Sequence, residues 1–197
     1  MKPIRLLNLP NKITLSRIMM VPVIVLLLYF ENRYTCLLAC IGFILASATD
    51  LLDGHIARRA NMITNFGKFL DPLADKVLIT SVLIMLTSLG RVAAWIAIII
   101  ICRELVITGL RAIAMDAGKV IAADTLGKWK TLLQIVALVP LTLHYPWFGF
   151  DPVVPGQFLL YMATVLTIFS GGRYLYEYWL DQKPTLSIET ADQKENL

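Results

Sequence analysis

The sequence predicts an all-α polytopic membrane bundle, and three observations carry that prediction. Of 197 residues, 57% are hydrophobic and only 16% charged, far from the balance of a soluble domain. The apolar residues fall in six stretches of spanning length, since one bilayer crossing takes about 20 mostly apolar residues. Lys and Arg gather on alternate connections, the pattern expected of a chain that crosses repeatedly.

The stretches run from Ile13 to Phe30, Tyr34 to Ala57, Phe69 to Leu89, Val92 to Met115, Leu126 to Tyr145 and Gln157 to Tyr178. The first follows a charged start as a secretory leader would, but no small-residue cleavage pattern follows Phe30, so it is expected to remain as an anchor. Turn or polar signals separate the others: Glu31-Asn32-Arg33, Arg58 to Asn65, Gly90-Arg91, Asp116 to Asp124, and the Pro- and aromatic-rich run from Pro146 to Pro155. One membrane domain over 1–180 and a polar, disordered tail over 181–197 follow as expectations. Cys36, Cys40 and Cys102 lie in apolar stretches without a CxxC or His partner, which reads as core packing and not as a disulfide framework or zinc site.

The net charge of +4 would suit nucleic acid or an anionic membrane surface, and the hydropathy decides for the lipid bilayer, with no nucleic-acid partner. One side of the bundle would carry the Lys and Arg residues between Lys2 and Arg17, Arg58 and Lys68, Arg111 and Lys130, and Arg173 and Lys183; the other has only Arg33 and Arg91. Both termini and the connections after the second and fourth stretches are therefore expected in the cytoplasm, at an inner membrane.

Charged groups inside a membrane are costly and usually face a wet cavity or the bundle interior, so Asp50, Asp53, Asp71 and Asp75 demand a reason. Spacings of three and four place each pair on one helical face, and a short connection lets the two faces meet. Converging carboxylates repel one another unless hard divalent cations neutralise them, and oxygen-only ligation favours magnesium or manganese. A structural alternative pairs the acids with Arg58, Lys68 and Lys76. It leaves Gly54 and Ala57 unexplained, although close helix packing through small residues would account for them. Four and seven residues beyond Asp50, they remove bulk where a ligand would approach the carboxylates.

The stretch DLLDGHIARRANMITNFGKFLDPLAD resembles the signature of the CDP-alcohol phosphatidyltransferase family, Asp-x2-Asp-Gly-x2-Ala-Arg-x8-Gly-x3-Asp-x3-Asp. All eight fixed positions match, namely Asp50, Asp53, Gly54, Ala57, Arg58, Gly67, Asp71 and Asp75. At roughly 5% usage per residue type, chance odds are on the order of 10⁻¹⁰ per register. The resemblance implies the family's six-helix fold, a homodimer, and two divalent metals held by Asp50, Asp53 and Asp71 with help from Asp75. It also implies that Asp75 is the base for the attacking hydroxyl, that Gly54 and Gly67 admit the cytidine, and that Arg58 pairs with the donor phosphates. The run Pro10-Asn11-Lys12-Ile13-Thr14-Leu15-Ser16-Arg17 resembles the family's Pro-Asn-x-x-Thr element, which implies headgroup contacts from Asn11 and Thr14. Thr64 matches a third such position. Read without the family, that run is a capped helix entry with a snorkelling Arg17.

The acceptor is read from the fourth and fifth stretches. Arg103 and Glu104 lie deep in apolar sequence, Arg111 follows eight residues on from Arg103, and Lys128 and Lys130 open the fifth stretch. These can be an internal ion pair and interfacial anchors. They also resemble the branch of the family whose acceptor is glycerol 3-phosphate, a dianion that fixed Arg and Lys groups would bind. Serine, inositol phosphate or phosphatidylglycerol as acceptor is the nearest rival, with CDP-diacylglycerol as donor in every case. A small cation or proton transporter is the rival of another class, disfavoured because no duplicated segment is visible.

Overall fold

The computed structural model describes the backbone of residues 9–60, 65–116, 125–147 and 149–195, with side chains described outside 9–13, 50–72, 75, 115–126, 128 and 181–197. Six helices follow one another: α1 (Leu9–Tyr29), α2 (Arg33–Ala60), α3 (Asn65–Ser88), α4 (Ala94–Asp116), α5 (Thr125–Leu143) and α6 (Val153–Glu195). No strand is present among the described residues. Each expected apolar stretch is a helix. The 153–180 part of α6 is long and apolar enough to cross a membrane.

The helix ends follow local chemistry. Asn32 caps α2, its Oδ1 accepting from the Tyr34 amide at 3.0 Å. At the end of α3, Gly90 has φ +70°, the Arg91 amide donates to Leu86 O at 2.9 Å and the Gly90 amide to Thr87 O at 3.0 Å. That pair of bonds is a Schellman stop, for which Gly90 supplies the left-handed residue. Asp151 caps α6 through the Val153 amide at 2.9 Å, with Pro152 at the first position where a missing N–H costs nothing. α6 continues to Glu195, through residues 181–195.

Packing stripes are read from burial. On α1, Thr14, Arg17, Val21, Ile24 and Leu28 are buried, a 3-4-3-4 spacing that presents one face to α2 and α3. Cys36, Ala39, Cys40, Phe43, Ala46 and Ser47 are the matching face of α2; these two thiols are core groups as the sequence suggests, whereas Cys102, also expected in the core, is exposed on α4. The most extensive contact joins α5 to α6. There Gly156 comes so near that a Cβ would lie 2.9 Å from Leu141 Cγ and 3.1 Å from Pro140 Cγ.

Three connections meet at one end. Arg33 Nη2 donates to Pro146 O at 3.1 Å and stacks 4.2 Å above the Trp147 ring, while Tyr145 Oη donates to Glu31 O. Arg91, buried, donates to Thr142 O at 3.4 Å and lies 3.5 Å from Cys36 Sγ. The α1–α2, α3–α4 and α5–α6 connections are thus one end of the bundle, which holds the two arginines expected apart from the other basic residues. The aspartate-bearing ends of α2 and α3 face the other way.

Candidate active site

Asp50 and Asp53 sit in the last three turns of α2, and Asp71 and Asp75 in the first three turns of α3. Asp50 follows Arg33 by 17 residues and Asp71 precedes Ser88 by 17, so at about 1.5 Å per residue both lie roughly 25 Å from the far end. All four acids therefore occupy neighbouring depths on consecutive antiparallel helices. Gly54, Ala57 and Arg58 continue α2 and Gly67 opens α3. The side chains of all eight signature positions, and Thr64 altogether, lie outside the described residues.

Asn11 is in the first turn of α1, its side chain also outside the described residues. Thr14 is buried one turn further on. Arg17 departs from its expected snorkelling: it is 2% exposed, with Nε donating to Ala46 O at 3.1 Å. Ala46 is one turn before Asp50, so the stripe of α1 that packs on α2 brings a guanidinium to the carboxylate end. Helix rotation decides this, and a sequence shows only that Arg17 lies on an apolar helix.

Lys76, next in chain to Asp75, reaches α4 through the Thr108 hydroxyl, which itself donates to Glu104 O at 2.6 Å. A small pocket of about 20 Å³, partly open to the outside, lies beside it. Lys76, Thr80, Glu104, Thr131 and Gln134 give it polar walls, over an apolar floor of Ile79, Leu83 and Ile100.

Around Glu104 the expected acceptor residues divide. Arg103 Nη1 pairs with Glu104 Oε1 at 3.0 Å, and Lys130, 2% exposed, pairs with the same carboxylate from α5. Arg103 Nη2 donates to Ser170 Oγ at 3.0 Å, which bonds to Thr167 O at 3.2 Å. The Thr167 hydroxyl accepts from Gln134 Nε2 at 3.2 Å. Arg111 is exposed, 5.9 Å from the Tyr174 ring centroid on α6, and does not join the triad. The Lys128 side chain is outside the described residues. Gln134, Thr167 and Ser170 were not singled out in the sequence, although Thr164, Thr167, Ser170, Gly171 and Tyr174 recur at helical spacing as a buried stripe within an apolar stretch.

Burying Lys130 and most of Arg103 is tolerable only because carboxylate and hydroxyl oxygens meet them. Two cations face one acid, so the triad retains a positive excess beside the pocket. Arg103 Nε is buried with no hydrogen-bond partner. Such a group attracts anions.

The chain belongs to the CDP-alcohol phosphatidyltransferase family, whose model matches residues 7–169. It is 43% identical over 184 residues to a Bacillus subtilis protein named CDP-diacylglycerol–glycerol-3-phosphate 3-phosphatidyltransferase, covering 87% of this chain and 95% of that one. A protein of the same name from Rickettsia typhi is 40% identical over 168 residues, with 85% and 94% covered. Another from Pseudomonas fluorescens is 36% identical over 179 residues, with 88% and 91% covered.

Proposed function

We infer that this chain is a transferase that moves the phosphatidyl group of CDP-diacylglycerol to glycerol 3-phosphate, giving phosphatidylglycerophosphate and CMP. The relatives' shared name supports donor and acceptor. The observation in the molecule that carries the acceptor is the half-buried Arg103–Glu104 pair joined by the buried Lys130, a triad with a positive excess beside a small pocket walled by hydroxyl and amide groups.

Asp50, Asp53, Asp71 and Asp75 would hold two magnesium or manganese ions. The donor set fits: four carboxylates at neighbouring depths on adjoining helices suit hard cations. Bound there, the metals would neutralise charge on the diphosphate and the departing CMP oxygen. Asn11, Thr14, Gly54, Ala57, Arg58, Thr64 and Gly67 would receive the CDP headgroup, and the pocket would hold the acceptor with a hydroxyl near Asp75. The Asp75 carboxylate takes the proton as that oxygen attacks the lipid-side phosphorus; the bond to CMP breaks and CMP leaves.

Six membrane crossings, an inner membrane, a site open to the cytoplasm and a homodimer complete the reading. The apolar α6, the gathering of three connections at one end and the Lys and Arg asymmetry support the topology. The test of function supplies purified protein with CDP-diacylglycerol, magnesium and a panel of alcohols, and measures CMP. Glycerol 3-phosphate should give the fastest release. Faster turnover with serine or inositol phosphate would overturn the acceptor, and no CMP with any alcohol would overturn the enzyme.

A further inference from the structure

Arg103 and Lys130 converge on one atom. The Arg103 guanidinium, 3.0 Å away, and the Lys130 ammonium both meet Glu104 Oε1. Glu104 also lines the pocket. The α4 and α5 helices that carry these groups have little direct contact, each packing instead on α3 and α6. The Glu104–Lys130 pair therefore spans a cleft between helices.

We propose that Glu104 is a positioning residue that holds the Arg103 and Lys130 cations side by side across the α4–α5 cleft, so that both address one anionic group of the acceptor. This rests on the acceptor reading above. A lysine ammonium on a four-carbon stem is mobile, and two adjacent cations repel unless an acid lies between them. Arg103 is braced from the other side by Ser170. Glu104 thus joins the braced Arg103 to Lys130 across the cleft and sets the spacing of the two cations, so less ordering remains when the acceptor binds.

A carboxylate beside the pocket repels an anionic acceptor, so if position were irrelevant, removing its charge would tighten binding. The sign of the change therefore discriminates. Glu104→Gln should raise the KM for glycerol 3-phosphate by about tenfold or more, the scale of losing a hydrogen bond to a charged group, with donor KM altered by less than about twofold. The double variant Glu104→Lys/Lys130→Glu keeps an ion pair across the cleft but moves the cation to the other helix. It should regain the wild-type thermal midpoint while leaving acceptor KM high. An unchanged or lowered acceptor KM in Glu104→Gln would overturn the proposal, as would recovery of both midpoint and KM in the double variant. Loss of folded protein in both would make Glu104 a brace of the fold and overturn it too. Failure of the wild type to use glycerol 3-phosphate would refute the acceptor reading itself and remove the proposal with it, an outcome separate from unchanged kinetics in the variants.

Discussion

Two adjacent glycines on α6 give a controlled test of the acceptor site. A Cβ built on Gly171 would lie 3.0 Å from Arg103 Cγ and 3.4 Å from its Nε, whereas one on Gly172 meets nothing within 4 Å. Replacing a mid-helix glycine by alanine ordinarily stabilises by about 0.5–1 kcal/mol, so both variants should fold. In Gly171→Ala the Arg103 stem must retreat by a few tenths of an ångström. Its far end is pinned at 3.0 Å to Glu104 and 3.0 Å to Ser170, so the shift is taken up in those two bonds. Hydrogen bonds to charged groups are worth about 1.5–3 kcal/mol, and losing about half of one would cost on the order of 1 kcal/mol. That corresponds to roughly a fivefold rise in acceptor KM. The assay is CMP release against glycerol 3-phosphate at saturating CDP-diacylglycerol, with Gly172→Ala as the control. Equal acceptor KM in the two variants would show that Arg103 does not serve the acceptor.

Asp75→Asn should slow turnover by roughly 10²-fold or more by removing the proton acceptor, while donor binding on folded protein persists better than in Asp50→Asn; near-normal kcat at saturating magnesium would strike Asp75 from the base role. Chelation should abolish CMP release reversibly, with magnesium or manganese restoring it and zinc failing to, and full activity without metal would exclude the carboxylate–metal reading. His144, in the connection before α6, has its pKa lowered from the usual 6.5 by burial first and by nearby Arg91 second. The unfolded chain then binds a proton that the folded one refuses, so His144's share of the stability is intact above pH 6.5 and is lost as pH falls towards the lower folded value. The thermal midpoint of His144→Gln should fall less than that of the wild type between about pH 7.5 and 5.5; equal slopes would show that His144 does not contribute. Gly156→Ala should destabilise by about 1–3 kcal/mol by overpacking against Leu141 and Pro140, read as a lower thermal midpoint with acceptor KM unchanged.

What the sequence determined by itself was local or strictly periodic. The apolar stretches located six helices because bilayer-scale burial requires continuous hydrophobic length, and Gly90 and the Pro146–Pro155 run marked ends because turn and cap chemistry acts within a few residues. Spacings of three and four put Asp50 with Asp53, and Asp71 with Asp75, on shared helix faces before any packing is known. Only the tertiary structure decided which buried charge meets which partner. Arg17 turned from a snorkelling cation into a donor to Ala46 O on α2, Lys130 met Glu104 from another helix, and Gln134, Thr167 and Ser170 joined them from α5 and α6. Arg111, equally basic in the sequence, stayed exposed over Tyr174. The physical reason is that such contacts depend on the rotation of each helix about its axis and on its neighbours. Both are set by the packing of whole apolar faces, and no short window of residues contains that information.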